Sequence, residues 1–136
     1  MRKTIVVIGT GYVGLPAALM WARAGQKVVG VDINENVVRA INEGTMLLNE
    51  QELHTLLNEP VVQENLIART KPCPGDVFVI AVPTPVDPLK KVCDMRPVQS
   101  ALESICPFLR KSNRHMAREF SRLFLHGVQR PYSKGR

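Results

Sequence analysis

A glycine-rich turn directly after a buried strand pattern constrains the fold of this chain more than any other feature. Residues 3–8 read KTIVVI, a β-branched run typical of strands that are buried on both faces of a parallel sheet. A Gly-x-Gly-x-x-Gly turn over residues 9–14 follows, and the apolar pattern of Tyr12–Ala24 predicts a helix that ends at Gly25. This order of strand, turn and helix is the fingerprint of a dinucleotide-binding βαβ unit.

The alternation of strand and helix patterns continues along the chain. The first helix is predicted from a stripe of apolar residues at helical spacing, made of Val13, Ala17, Met20, Trp21 and Ala24. Residues 27–33 (KVVGVDI) predict a second strand, and Asn34 is a suitable N-cap for a second helix that ends at Gly44. We expect this helix to pack through Val37, Val38 and Ile41. The alternation indicates the α/β class.

Three further elements follow from the remaining patterns. An Asn-x-x-Glu capping box at residues 49–52 predicts a short helix, and residues 66–70 predict a short strand. Residues 77–82 (VFVIAV) predict a strongly buried strand, and Asp94 can cap a helix that Pro107 ends. We therefore expect a three-layer Rossmann-type domain, with a mainly parallel sheet of about four strands and helices on both faces. We expect the second half of that fold to be incomplete, and the uncovered sheet edge and helix-packing surface predict marginal stability or self-association.

An acidic residue strengthens the interpretation of the glycine turn. Asp32 stands at the end of the second strand pattern, 23 residues after Gly9, where a carboxylate can hydrogen-bond adenosine ribose hydroxyls. It would repel a 2′-phosphate, which favours NAD over NADP. The backbone N–H groups of Tyr12 and Val13 are placed to bind the pyrophosphate. The alternative is a purely structural glycine turn beside a solvated aspartate.

Thr84 is a further candidate for cofactor contact because it follows the VFVIAV strand pattern at the sheet edge where ligands collect. By position alone, Pro83-Thr84-Pro85 is equally consistent with a rigid strand exit.

Composition excludes several other classes of protein. No apolar run is long enough for a membrane span or a signal-peptide core, so we expect a cytoplasmic protein. Three cysteines without Cys-x-x-Cys spacing favour free thiols and predict no metal site. The net charge is +6, but residues 1–110 are balanced and residues 111–136 carry the whole excess. This position of the charge makes nucleic-acid binding by the domain itself a poor hypothesis.

Three motifs carry a family resemblance: GTGYVGLP at residues 9–16, VVGVDIN at 28–34 and AVPTP at 81–85. With them, residues 1–110 resemble the N-terminal NAD-binding domain of the UDP-glucose/GDP-mannose dehydrogenase family. The Leu-Pro that ends the first motif and the AVPTP form resemble the UDP-N-acetyl-D-mannosamine dehydrogenase branch more than the UDP-glucose branch. The resemblance implies a nucleotide-sugar 6-dehydrogenase that oxidises the sugar C6 alcohol to a carboxylate while two NAD are reduced.

Carried over by position, the resemblance implies that the glycine turn holds the pyrophosphate, Asp32 the adenosine ribose and Thr84 the nicotinamide side. The candidate cofactor-binding residues are Gly9, Thr10, Gly11, Tyr12, Val13, Gly14, Asp32 and Thr84.

The resemblance ends near Lys111, where the family continues with a buried strand that ends in Glu-Ser-Thr. Here residues 112–116 read SNRHM, and the family's catalytic lysine, catalytic cysteine and sugar-binding domain are absent. We therefore assign no catalytic residue, expect the chain alone to be inactive, and expect a nucleotide-sugar substrate only in a complete enzyme. The basic tail over residues 111–136 is interpreted as the off-pattern end of a truncated gene, produced by a frame shift or by degeneration.

Three alternatives remain open from sequence. One is a portion of a UDP-glucose 6-dehydrogenase, and another is a non-catalytic NAD-binding module. The third is an interaction protein that uses its basic tail.

Overall fold

The computed structural model describes residues 1–46 and 49–110 of the chain. The chain divides into two units, Met1–Val82 and Pro83–Arg136, and the second is described as far as Arg110. The predicted basic tail therefore lies outside the described residues.

Four parallel strands form the central sheet of the first unit. They are β1 (Thr4–Ile8), β2 (Lys27–Val31), β3 (Leu66–Arg69) and β4 (Val77–Ile80). Their order in the sheet is β3-β2-β1-β4, and β1 pairs with both β2 and β4. Because β1 is central, its side chains are buried on both faces, and Val6 and Val7 are fully buried. All four strands predicted from sequence are present.

Strand β4 differs from its prediction as a strongly buried strand. Val77 is 43% exposed, and the other three residues of β4 are half-buried. The described part of the sheet ends at β4, so the strand has β1 as a neighbour on one side only. Its apolar composition reads like that of a central strand, and only its place in the sheet lowers its burial.

Four helices contribute to one core cluster in the first unit. They are α1 (Gly14–Arg23), α2 (Glu35–Asn42), α3 (Gln51–Leu57) and α4 (Pro60–Asn65). The strand residues in this cluster share one face of the sheet, and they are Ile5, Val7, Val28 and Ala68. The helices supply fully buried Leu19, Leu57 and Val62 to the same cluster.

The ends of α1 and α2 follow the sequence prediction. Gly25 has a φ of 85°, and its N–H donates to the Ala22 carbonyl at 3.0 Å. The N–H of Gln26 donates to the Trp21 carbonyl at 3.0 Å, which completes a Schellman motif. Gly44 ends α2 with a φ of 73°. Both stops were predictable because glycine adopts positive φ without steric cost.

Most of the apolar stripe from which α1 was predicted lies outside the face that the helix buries, although Trp21 packs against the core cluster. Val13 is 75% exposed and Met20 is 57% exposed. The helix instead buries Gly14, Leu15, Ala18, Leu19 and Ala22. Because most residues of α1 are apolar, two faces of the helix satisfy the periodicity equally well. Packing onto the sheet, which the close approach of Gly14 to the turn determines, selects between them.

The segment between α2 and β3 contains two short helices where one was predicted. The N-cap of α3 is Glu50 and makes no side-chain capping bond, so the capping box predicted from Asn49 is wrong. The second helix, α4, begins with Pro60 at its first turn. The Asn58 side-chain amide donates to the Gly44 carbonyl at 2.9 Å and joins this segment to the end of α2.

The described part of the second unit contains a hairpin and a helix. Strand β5 (Val86–Asp87) pairs antiparallel with β6 (Val92–Cys93), and α5 (Arg96–Ile105) runs into a 3-10 turn over Cys106–Phe108. The N-cap of α5 is Met95 and not the predicted Asp94. The Asp94 carboxylate nevertheless accepts the N–H of Arg96, in the first turn, at 3.0 Å.

Candidate functional site

The glycine turn and Asp32 lie side by side at the carboxyl edge of the sheet. Backbone hydrogen bonds continue past the strand ends, since the Gly9 N–H donates to the Val31 carbonyl at 2.7 Å. The Asp32 N–H donates to the Arg69 carbonyl at 3.0 Å. This is the edge at which parallel α/β sheets bind ligands. Two residues that are 23 positions apart in the sequence thus enter one site.

Two glycines of the turn are required by the protein itself. Gly9 has a φ of 94°, and a Cβ added there would lie 2.6 Å from the Ala81 carbonyl oxygen. A Cβ on Gly14 would clash with the Gly9 carbonyl oxygen. The first glycine therefore permits the tight turn, and the last permits the close approach of α1 to β1, as the motif predicts.

Gly11 differs from both because the space around it is open. A Cβ added to Gly11 would meet no protein atom within 4 Å. Packing of the protein therefore does not explain a glycine at this position. The open space beside the backbone is suited to close approach by a pyrophosphate.

The residues after Gly11 present hydrogen-bond donors next to this space. The described backbone hydrogen bonds give the N–H groups of Tyr12 and Val13 no acceptor. The side chains of both residues are more than 70% exposed. The two N–H groups lie at the N-terminus of α1, where the helix dipole favours an anion.

The Asp32 carboxylate is held by three hydrogen bonds. Its Oδ2 accepts the Thr10 N–H at 3.1 Å and the Thr10 hydroxyl at 2.9 Å. Its Oδ1 accepts the Asn34 N–H at 3.0 Å. Thr10 is only 3% exposed, so its hydroxyl faces Asp32 and not solvent. Thr10 is one of the predicted site residues, and it is buried beneath the surface of the site.

Sequence reasoning missed two contributors to this arrangement. Asn34 was expected only as the N-cap of α2, a role it performs by accepting the Asn36 N–H at 3.0 Å, but its own N–H also binds Asp32. Gly30 lies in β2, and a Cβ there would lie 2.9 Å from the Thr10 methyl carbon. The available signal was a single glycine within a β-branched strand, which often marks close approach by another group.

Thr84 belongs to the second unit and is exposed. Its contact with the cofactor stays a prediction.

Two carboxylates of the second unit have lowered pKa values. The side-chain hydrogen bonds from Arg96, with a further bond from its backbone N–H, lower the pKa of Asp94 to about 2. The backbone N–H groups of Lys90 and Leu89 lower the pKa of Asp87. Both carboxylates close local turns through these bonds, and this accounts for the pKa shifts without a ligand.

Residues 1–46 and 49–110 contain neither a metal-binding cluster nor a membrane-spanning helix. No group of three or more His, Cys, Asp or Glu side chains in these ranges could hold a metal ion. The cysteines within them, Cys73, Cys93 and Cys106, are free thiols. No helix of this part of the chain is long and apolar enough to cross a bilayer.

Several known dehydrogenases are similar in sequence to this chain. The chain is 46% identical over 108 residues to the UDP-N-acetyl-D-mannosamine dehydrogenase of Methanococcus aeolicus, a match that covers 78% of this chain and 25% of the relative. It is 43% identical over 111 residues to the enzyme of that name from Yersinia pestis, a match that covers 82% of this chain and 26% of the relative. The chain thus spans about a quarter of the length of these relatives.

Solved structures agree with the sequence matches. The UDP-N-acetyl-mannosamine dehydrogenase of Staphylococcus aureus matches with a TM-score of 0.73 and 40% identity, over 78% of this chain and 26% of that chain. A GDP-mannose dehydrogenase from Pseudomonas aeruginosa matches with a TM-score of 0.71 and 27% identity, over 82% of this chain and 26% of that chain. These matches confirm the predicted Rossmann-type fold.

The family model that describes the UDP-glucose/GDP-mannose dehydrogenase family, NAD binding domain, matches residues 3–117. The glycine turn and Asp32 both lie within this match, as do all the described strands and helices. The chain therefore belongs to the UDP-glucose/GDP-mannose dehydrogenase family and carries sequence of its NAD-binding domain.

Proposed function

We propose that the chain binds NAD across the carboxyl edge of the sheet, with the pyrophosphate over Gly11 and the adenosine ribose at Asp32. The placement of Asp32 carries this proposal. Its Oδ1 accepts one protein hydrogen bond and keeps a second lone pair for a ribose hydroxyl, beside a turn with open space and unpartnered N–H donors.

The same carboxylate favours NAD over NADP. A 2′-phosphate would bring negative charge next to Asp32, whose neighbours Ile33 and Asn34 supply no positive side chain. The hydrogen bonds that the Asp32 carboxylate accepts come from neutral donors, the N–H groups of Thr10 and Asn34 and the Thr10 hydroxyl.

In a complete enzyme, we propose that this domain serves a UDP-N-acetyl-D-mannosamine dehydrogenase-like reaction. The sugar C6 alcohol would be oxidised to a carboxylate, and two NAD would accept the hydrides. The likeness to relatives bearing that name supports this choice. We place the activity in the cytoplasm, where NAD and nucleotide sugars are available.

Binding of NAD and NADP to the full chain, measured by isothermal titration calorimetry, tests the proposal. We expect measurable binding of NAD and at least tenfold weaker binding of NADP. Asp32→Ala should weaken NAD binding by about tenfold or more, because a hydrogen bond to a charged group contributes on the order of 1.5–3 kcal/mol. Glu35→Ala removes a nearby exposed carboxylate and should leave the affinity unchanged. Equal affinity of wild type and Asp32→Ala for NAD would contradict the proposed site.

The edge of β4 in the described part of the sheet supports a second proposal, which concerns partners. The strand pairs with β1 on one side, and Val77 is exposed, so we propose that the chain self-associates through this edge. Light scattering over a range of concentrations should show a mass that rises with concentration. A constant monomer mass at high concentration would contradict it.

A further inference from the structure

Thr10 has the only buried polar side chain among the described residues. Its backbone N–H and its hydroxyl donate hydrogen bonds to the same atom. Both its N–H and its hydroxyl donate to Oδ2 of Asp32, at 3.1 and 2.9 Å. A carboxylate oxygen has two lone pairs, so Thr10 occupies Oδ2 completely. The Asn34 N–H takes one lone pair of Oδ1. One lone pair of the Asp32 carboxylate is thereby left, and it lies on Oδ1.

The orientation of the Thr10 side chain depends in turn on Gly30. A Cβ on Gly30 would lie 2.9 Å from Cγ2 of Thr10, a distance at which one of the two must move. The missing side chain in β2 thus makes room for the Thr10 methyl group. With the methyl group in this space and the hydroxyl on Asp32, the β-branched side chain is held in one rotamer.

We propose that Thr10 and Gly30 are positioning residues, which orient the Asp32 carboxylate so that Oδ1 alone meets a ribose hydroxyl of the cofactor. This inference rests on the proposed binding of NAD at Asp32. Thr10 does not contact the cofactor in this arrangement and acts only through Asp32. Gly30 acts one step further away, through Thr10.

Substitutions of Thr10 test the first link, with the NAD affinity of the full chain as the readout and circular dichroism as the check of folding. Thr10→Val removes the hydroxyl and keeps the side-chain shape, and we expect it to weaken NAD binding about tenfold. Thr10→Ser keeps the hydroxyl and should bind NAD within about twofold of wild type. In an Asp32→Ala background, Thr10→Val should cause no further loss, because the group through which it acts is absent.

Gly30→Ala tests the second link by a different route. The added methyl group should displace the Thr10 side chain and weaken NAD binding several-fold. Combining it with Thr10→Ser removes the methyl carbon that clashes, and this double variant should bind NAD better than Gly30→Ala alone. A merely structural role of Thr10 would not give this rescue of affinity together with the loss of effect in the Asp32→Ala background.

The outcomes separate the inference from the proposed function. If wild type binds NAD and a folded Thr10→Val chain binds it equally well, the inference is wrong and the NAD site stands. Equal losses in Thr10→Val and Thr10→Ser, or a further loss in the Asp32→Ala background, would also overturn it. If Thr10→Val does not fold, Gly30→Ala and its combination with Thr10→Ser test the inference instead. A double variant that binds NAD no better than Gly30→Ala alone would overturn the inference. A wild-type chain that binds no NAD overturns the proposed function and this inference with it.

Discussion

Side chains of the Met1–Val82 unit hydrogen-bond to segments far along the chain, whereas two carboxylates of the second unit bond to residues two or three positions away. Thr10 binds Asp32 from 22 positions away, and the Thr4 N–H donates to Asp76, 72 positions on, at 2.8 Å. Asp87 accepts the N–H groups of Leu89 and Lys90, at 2.8 and 3.1 Å. Asp94 pairs with Arg96 in the same local manner.

This difference shows which polar groups depend on the sheet. A hydrogen bond between residues two or three positions apart needs only a turn, so it forms wherever the local backbone allows that turn. A bond such as that of Thr10 to Asp32 requires β1 and β2 to be paired in register. We therefore expect substitutions that disturb the pairing of β1 with β2 to affect folding and NAD binding together, and substitutions of Asp87 or Asp94 to act locally.

The largest expected effect is that of Gly9→Ala. The substitution combines a φ of 94° with a Cβ 2.6 Å from a carbonyl oxygen, and we expect a loss of about 3 kcal/mol in the free energy of unfolding. Gly11→Ala is the matched control, because its Cβ meets no protein atom, and we expect a change below about 1 kcal/mol. Chemical denaturation measures both.

The control has its own consequence for NAD. Since the open space at Gly11 is proposed for the pyrophosphate, Gly11→Ala should weaken NAD binding although the chain stays folded. An unchanged affinity would argue against the placement of the pyrophosphate.

A similarly large effect is expected from Leu19→Ala, which tests the buried face of α1. Leu19 is fully buried in the core cluster, and its truncation should cost about 3 kcal/mol of unfolding free energy. Met20→Ala changes a residue of the apolar stripe from which the helix was predicted. It should cost less than about 1 kcal/mol of unfolding free energy because Met20 is 57% exposed. Equal losses in the two variants would restore the face predicted by the periodicity.

A smaller effect is expected from Asn34→Ala. The Asn34 side chain accepts the Asn36 N–H at the start of α2, and its loss should destabilise the fold by about 1 kcal/mol. The bond from Asn34 to Asp32 is made by the backbone N–H, which the substitution keeps, so NAD affinity should change less than twofold. A large loss of affinity at unchanged stability would show that the side chain itself contacts the cofactor.

The smallest effect is expected from protonation of Asp94. The pKa of Asp94 in the folded chain is lowered to about 2 from its ordinary value of 3.8, so ionised Asp94 contributes to local stability above pH 3.8. The contribution declines below that pH and is lost as the pH falls through about 2. Nuclear magnetic resonance titration of the Arg96 amide should show this low midpoint. A midpoint near 3.8 would show that the Arg96 pair does not form in solution.

The sequence predicted most of the local structure correctly because that structure depends on short-range physics. The strand patterns before Gly9 and before Asp32, and the helix stops at Gly25 and Gly44, each follow from side-chain branching or from the freedom of glycine. The pairing of the glycine turn with Asp32 was also predictable, since the carboxyl ends of adjacent parallel strands meet at one edge.

The expectations that were wrong concern burial and capping. The periodicity of α1 fits two faces of an apolar helix, and only contact with the sheet distinguishes Leu19 from Met20. The composition of β4 indicates a buried strand, whereas its neighbours determine how much of Val77 is covered. At α3, the N-cap is Glu50, one residue after the expected cap Asn49, a shift that the pattern of leucines does not resolve.

By itself, then, the amino-acid sequence determined the α/β class, the dinucleotide fingerprint and the family. Each of these follows from residue types at fixed spacing, and local backbone preferences are sufficient to recognise them. Only the tertiary structure decided that the Thr10 hydroxyl faces Asp32 and that Gly30 leaves room for the Thr10 methyl group. Those contacts join residues about twenty positions apart, and they exist only because β1 and β2 pair in one register and bring their ends together.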